Sequence, residues 1–114
     1  MGLFDALRGR RRASGVRPVP ARDLSRGIAH LESWTAGHRG VEAFVEPKTT
    51  VTESTVVLVA FDGEWTRRRV SGPAAAYALG RRLGIPVYDV ALVGYPRRMR
   101  EYTARRTREL RRTR

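Results

Sequence analysis

Residues 55–70 read Thr55-Val56-Val57-Leu58-Val59-Ala60-Phe61-Asp62-Gly63-Glu64-Trp65-Thr66-Arg67-Arg68-Arg69-Val70. Asp-Gly between two runs rich in β-branched residues is typical of a hairpin with a two-residue type I′ turn. That turn predicts Phe61 opposite Glu64. On one face it then places Trp65, Arg67, Arg69, Ala60, Leu58 and Val56, and on the other Arg68, Val57, Val59 and Phe61. An antiparallel strand pair is therefore the predicted centre of the fold.

The segments before the hairpin predict one helix and one strand. Asp23 is a suitable N-cap for a helix that runs to about Ala36, with an apolar stripe along one side and Gly37 after its end. Residues 41–46 predict a short strand that Pro47 ends. Residues 48–54 fit either a polar loop or an extension of the next strand.

The segments after the hairpin predict a helix, a strand and a second helix. Pro73 opens a helix that ends at Gly84, residues 85–93 form a last apolar strand, and a basic helix begins at Arg97. The helix after the hairpin is a candidate crossover to the last strand. The predicted fold class is α+β, with the order α-β-β-β-α-β-α. A small single sheet combines a three-stranded antiparallel meander with a fourth strand, and the helices lie on one face.

Positive charge is concentrated at the two ends of the chain. Residues 1–22 carry six arginines against one aspartate, and residues 97–114 carry nine arginines against two glutamates. The stretch between them has eight basic and eight acidic residues. We therefore expect a basic flexible N-terminal arm and linker (1–22), a neutral α+β domain (23–96) and a basic C-terminal helical arm (97–114). Such arms attract polyanions through counterion release.

Composition and motifs argue against several classes of function. The chain has no cysteine, which excludes disulfides, thiolate metal sites and cysteine nucleophiles. No apolar run approaches the ~18 residues that span a bilayer, and the first residues do not resemble a signal peptide, so we expect a cytoplasmic protein. His30 and His38 are not spaced as a metal pair on a helix. No phosphate loop, nucleophile elbow or catalytic carboxylate pair is visible, and we expect neither enzyme activity nor a cofactor.

The candidate nucleic-acid-binding residues come from both arms and from the second strand of the hairpin. The positively charged side chains of residues 97–114 repel one another unless an anion neutralises them. Tyr102 can stack on a base. Met99 and Tyr102 are also spaced to attach the first turn of this helix to the domain. Arg67 and Arg69 either extend the basic surface or pair with nearby glutamates. The candidates are Arg10, Arg11, Arg12, Arg67, Arg69, Arg97, Arg98, Arg100, Tyr102, Arg105, Arg106, Arg108, Arg111 and Arg112.

Three functions are compatible with these features. The leading hypothesis is a non-enzymatic accessory protein that binds nucleic acid, with RNA or a ribonucleoprotein as its partner. The second is an interaction module whose arms bind an acidic protein or an anionic membrane surface, with Leu3, Phe4 and Leu7 as the inserting face. The third is a small enzyme or cofactor-binding protein with a pocket near Tyr88 and Asp89.

Two resemblances accompany this reading of the residues. The segments 45–53, 62–69, 84–89 and 93–99 resemble a family of small uncharacterised proteins from high-GC actinobacteria. Its members sometimes carry an oxidoreductase label, for which this chain has no thiol, dinucleotide or flavin motif. The element order over residues 23–83 is similar to that of the double-stranded-RNA-binding domain. Gly72-Pro73-Ala74-Ala75 stands where that family places lysines that clamp phosphate, so the likeness is one of order and transfers no site residue.

Overall fold

A computed structural model describes residues 19–46 and 54–113 of the chain. Its elements follow in the order α1 (Ala21–Ala36), β1 (Glu42–Glu46), β2 (Ser54–Val59), β3 (Trp65–Val70), α2 (Pro73–Leu83), β4 (Val87–Asp89), α3 (Val90–Val93) and α4 (Arg97–Arg112). The predicted order is confirmed, with one short helix added after the last strand. The candidates Arg10, Arg11 and Arg12 lie outside the described residues, and so do residues 48–53 of the segment predicted as a polar loop or a strand extension.

The four strands form a single mixed sheet in the order β3-β2-β1-β4. Strands β1, β2 and β3 are the predicted antiparallel meander, and β4 pairs in parallel with β1. Because β1 and β3 are both antiparallel to β2, β4 also runs parallel to β3. Helix α2 is therefore a crossover that carries the chain from one edge of the sheet to the other, as parallel strands require.

The hairpin between β2 and β3 has a different register from the predicted one. Val59 lies opposite Trp65, and the loop contains three residues rather than two. The amide of Ala60 donates to the carbonyl of Glu64 at 2.8 Å, and the amide of Gly63 donates to the carbonyl of Ala60 at 3.0 Å. Gly63 closes the loop with φ +93°. This is the three-residue hairpin loop in which glycine takes the left-handed position.

The changed register exchanges the two faces of β3. A slip of one residue moves every side chain of a strand to the opposite face. Arg67 therefore lies across from Val57 and Arg68 across from Val56. The predicted grouping of Trp65, Arg67 and Arg69 with Ala60, Leu58 and Val56 is wrong.

Helices α1 and α2 cover what we call the first face of the sheet. The core there consists of nine buried residues, Leu31, Val41, Ala43, Val45, Val56, Leu58, Val70, Ala76 and Leu79. They come from both helices, from β1, β2 and β3, and from the turn before β1. Burial of this apolar set is the main stabilising contribution to the fold.

The opposite side, the second face, carries a smaller core. Its buried residues are Phe44, Val57, Val59 and Met99, with Trp65, Val90 and Tyr95 packed around them. Met99 belongs to α4, and Val90 belongs to α3. The prediction that the helices lie on one face is therefore wrong, because the apolar second faces of β1 and β2 need a cover that α4 supplies.

The ends of the helices follow local sequence signals, with one exception. Helix α1 begins at Ala21 after Pro20, so Asp23 lies in its first turn and is not the predicted N-cap. Helix α2 begins at Pro73 and ends at Gly84, whose φ of +70° is the left-handed C-cap conformation. Strand β4 is shorter than predicted because the carboxylate of Asp89 accepts from the amide of Ala91 at 2.8 Å and starts α3. Among the described helices none has the length and apolar character to cross a membrane.

Candidate nucleic-acid interface

One side of α4 attaches the helix to the hairpin. Met99 is buried, and Arg98 donates to the carbonyl of Ala60 at 2.9 Å and to the carboxylate of Glu42 at 2.6 Å. The indole N–H of Trp65 donates to Thr103 Oγ1 at 3.1 Å. The first two turns of α4 are thus fixed by one apolar contact and several polar ones. The prediction that Met99 attaches this helix is confirmed.

Gly63 makes this attachment possible at close range. A Cβ at this position would overlap the carbonyl of Arg98 and come within 2.9 Å of the Tyr102 side chain. The glycine therefore serves both the left-handed loop conformation and the contact with the first turns of α4. Tyr102 is half-buried here, and the guanidinium of Arg105 lies 5.8 Å from its ring centre.

The other side of α4 presents arginines to solvent. With 3.6 residues per turn, Arg97, Arg100, Arg108 and Arg111 fall on one outward face, and Ala104 occupies the turn between them. All five side chains are exposed. We call Arg97, Arg100, Arg108 and Arg111 the outward arginines. Arg97 pairs with Glu101 at 3.2 Å, while the other three have no ion pair within the described ranges.

The C-terminal turns of α4 extend past the sheet. The last hydrogen bond from the described part of α4 to the body is donated by Arg105 to the carbonyl of Asp62, at 2.9 Å. From there to Arg112 the helix continues for about 10 Å at 1.5 Å per residue. Arg106 pairs with Glu109 at 3.7 Å, and Arg112 is exposed. These turns therefore form a projecting helical segment that carries exposed positive charge.

Several of the predicted binding residues instead stabilise the body. Arg98 and Arg105 donate to hairpin carbonyls, as described above. Arg67 makes a two-pronged bond with Glu46, at 2.8 and 3.0 Å, and lies 5.2 Å from the Trp65 ring centre. The hydroxyl of Tyr95 donates to the same carboxylate. This arrangement spans β3, β2 and β1, so Arg67 matches the glutamate-paired alternative.

The titration of these groups reflects the same contacts. The hydrogen bond with Glu46 raises the pKa of Arg67. Burial, followed by the bond and the charge of Glu46, raises the pKa of Tyr95. Both groups therefore keep their protons through the neutral range, and the ion pair of Arg67 with Glu46 leaves this cluster on the second face with no net charge.

Arg69 borders a groove between α1 and β3 with its backbone carbonyl, which a Cβ at Gly27 would meet at 3.3 Å. The groove encloses about 460 Å³ and is lined by Val19, Asp23, Arg26, Gly27, His30, Arg68 and Arg69. Sequence reasoning placed Arg26 and Arg68 in the neutral domain and did not identify them. The available signal was Gly27 in the middle of a predicted helix, since such a glycine often marks a close approach of backbone.

His30 lies in α1 and contacts β3, whereas His38 lies just past the end of α1 and contacts Glu64, the residue before β3. His30 Nε2 is 2.7 Å from Thr66 Oγ1, and burial followed by the charge of Arg68 lowers its pKa. His38 is stacked on Trp34 and bonds to Glu64 at 2.9 Å. Within the described residues no three His, Asp or Glu side chains converge as metal ligands would.

The residues named for the enzyme hypothesis have structural contacts. Asp89 caps α3, and the ring of Tyr88 lies 5.4 Å from that of Phe44. A hydrogen bond with Glu42, and then the charge of that carboxylate, raise the pKa of Tyr88. A depression of about 220 Å³ adjoins these residues.

Comparisons of this chain with protein-family models, with curated proteins and with solved structures found no match.

Proposed function

We propose that this protein is a non-enzymatic accessory protein that binds nucleic acid, with RNA or a ribonucleoprotein as its partner. The observation that supports the proposal most directly is the asymmetry of α4. Arginines on its inner side donate to hairpin carbonyls and to Glu42, whereas the outward arginines Arg100, Arg108 and Arg111 have no carboxylate among the described residues. Their charge is therefore available to an external anion.

The geometry of the outward face suits a phosphate backbone. Guanidinium groups bind phosphate oxygens through two parallel N–H bonds, and a row of them along a rigid helix fits a regularly spaced polyanion. The helix is held at its N-terminal half by Met99 and Arg98, so binding does not require it to be ordered first. Binding of this kind depends on charge and spacing more than on base sequence.

Salt dependence tests the proposal. The full chain is titrated into a labelled single-stranded RNA over a series of salt concentrations, with fluorescence anisotropy as the readout. Replacing Arg100, Arg108 and Arg111 by Gln should lower the slope of log affinity against log salt by ~2, since each phosphate contact in a single strand contributes ~0.7. The matched control replaces Arg39, Arg81 and Arg82 by Gln, which removes the same charge from residues outside α4.

The outcomes separate the proposal from its alternatives. An equal change in slope for the two triple variants would mean that only net charge matters, and would contradict a binding face on α4. Absence of any salt-dependent RNA binding by the wild-type chain would contradict the function itself. Preferential binding of a polyglutamate peptide over RNA of equal charge would favour an acidic protein partner instead.

A further inference from the structure

The groove between α1 and β3 is open because β3 is an edge strand. Helix α1 runs along this edge, with Gly27 beside Arg68 and Arg69 and with His30 beside Thr66. A Cβ at Gly27 would meet the carbonyl of Arg69 at 3.3 Å and the Arg68 side chain at 3.5 Å. The missing side chain thus lets the helix approach the strand closely and leaves the space above them unfilled.

The lining of the groove carries excess positive charge. Arg26 and Arg68 line the groove with a single acidic residue, Asp23. Arg69 borders it through its backbone carbonyl, because the side chain of Arg69 alternates with that of Arg67 onto the second face. Arg68 is fixed by a bond to the carbonyl of Arg67 at 2.6 Å. Arg26 and Arg68 are exposed, and the described residues give neither an ion pair. An anion with several acceptor oxygens would relieve the mutual repulsion of these groups and use their free N–H donors.

The size and position of the groove favour one nucleotide of a longer chain. Its volume of about 460 Å³ lies within the range of small-ligand pockets and is too small for an extended peptide of several residues. The groove begins at Val19, where the arginine-rich N-terminal arm joins the domain. On the second face of the same sheet lies α4. Edge strand β3 therefore separates the groove from α4.

We infer that this groove binds a phosphate of the nucleic-acid backbone between Arg26 and Arg68, so that the strand passes along the β3 edge. This inference rests on the proposed function, and it adds a second contact surface that is separate from α4. Arg26 supplies an exposed guanidinium group, and Arg68 supplies one that is fixed by its bond to the strand.

A double variant tests the groove in the full chain. Arg26→Gln with Arg68→Gln should lower the salt slope for the same labelled single-stranded RNA by ~1.4, which is two contacts at ~0.7 each. The matched control, Arg39→Gln with Arg81→Gln, should leave the slope unchanged. Melting temperatures of both variants confirm that neither change unfolds the domain.

The possible results distinguish the groove from the proposed function. If the groove variant behaves as its control while the α4 triple variant still loses slope, the groove is overturned and the function stands. If wild-type binding shows no salt dependence, both are overturned. If the groove variant loses affinity for polyglutamate as much as for RNA, the groove is a general anion site and its assignment to phosphate is overturned.

The His30 ring provides a second, independent readout. Asp23, Arg26, Arg68 and Arg69 line the groove together with this ring. A phosphate held there adds negative charge, so the His30 pKa measured by NMR should rise when inorganic phosphate is added. The rise should vanish in the Arg26/Arg68 variant, and His38, which lies just past the C-terminal end of α1, should not respond to either change. A His30 pKa unaffected by phosphate would overturn the inference.

Discussion

The two faces of the sheet are stabilised in different ways. The first face is closed by a large apolar core between the strands and helices α1 and α2. The second face has a smaller core, and polar contacts complete it: Arg98 with Glu42, Arg67 with Glu46, and Trp65 with Thr103. Arginine therefore serves two purposes in this chain. Where a carboxylate or a hairpin carbonyl lies within reach it stabilises the fold, and elsewhere it remains available to a partner.

A core truncation on the first face should have the largest effect. Leu58 has no exposed surface, and Leu58→Ala should lower the free energy of unfolding by about 2–5 kcal/mol, through lost burial and the cavity left behind. Leu110→Ala on α4, where the leucine is 58% exposed, is the matched control and should change it by at most about 0.5 kcal/mol. Urea denaturation measures both. Similar losses would mean that α4 contributes to the core as much as β2 does.

The contact between the hairpin and α4 comes next in magnitude. Gly63→Ala and Gly84→Ala both introduce a side chain at a positive φ, which costs about 1–3 kcal/mol. Only at Gly63 would the Cβ meet another element, since nothing lies within 4 Å of a Cβ at Gly84. Gly63→Ala should therefore cost more, and the indole N–H signal of Trp65, which reports its bond to Thr103, should shift only in that variant. Equal costs and an unshifted signal would contradict close docking of α4.

The sequence predicted the elements because their signals are local. Helix α2 has proline at its start and Gly84 at its end, and the β-branched run of β2 is unambiguous. The hairpin register was missed because Asp62-Gly63 suits both a two-residue and a three-residue loop. The close packing of Gly63 on α4, which accompanies the longer loop, is a tertiary contact that no local pattern reveals.

Of the candidate site, only the positions of the charged residues along the chain could be predicted. The basic helix and its arginines follow from composition and period. Which of them are engaged depends on where Glu42, Glu46 and the hairpin carbonyls lie, and that follows from packing. Arg26 and Arg68 meet across α1 and β3 only in the folded chain, so the groove had no signal beyond Gly27.

Arg98 and Arg100, two positions apart on α4, allow a direct comparison between an arginine that bonds within the fold and one whose charge faces solvent. Arg98→Gln should destabilise the fold by about 1–3 kcal/mol, because two hairpin carbonyls and Glu42 lose their donor. Arg100→Gln, on the outward face, should leave stability within about 0.5 kcal/mol of wild type. In RNA binding the variant with the larger effect should be the other one, because Arg100→Gln lowers the salt slope. Thermal melts and anisotropy titrations measure the two effects, and an equal loss of stability in both variants would contradict the division.

The smallest expected effect concerns His38, which makes two polar contacts beside the apolar core of the first face. Its Nδ1 lies 2.6 Å from the carbonyl of Trp34 and its Nε2 lies 2.9 Å from a Glu64 oxygen. Both partners are acceptors, so only the protonated ring donates to both. Burial lowers the pKa of His38, but the bonds to Glu64 and Trp34 and the charges of Glu64 and Asp62 outweigh it and leave the pKa raised.

The direction of this shift fixes how His38 contributes to stability as pH changes. A raised pKa in the folded state means that the stabilisation is complete below the unfolded value of about 6.5 and is lost as pH rises through the folded pKa. The side chain of Glu64 is 39% exposed, so the gain should stay below about 1 kcal/mol. The difference in unfolding free energy between wild type and His38→Gln should therefore shrink from pH 6 to pH 8. His30, whose pKa is lowered, has the opposite dependence, so His30→Gln is the control: it should relieve a penalty that grows as pH falls below about 6.5. A His38 contribution that grows with pH would mean that the ring is neutral in the fold and that Glu64 does not hold its proton.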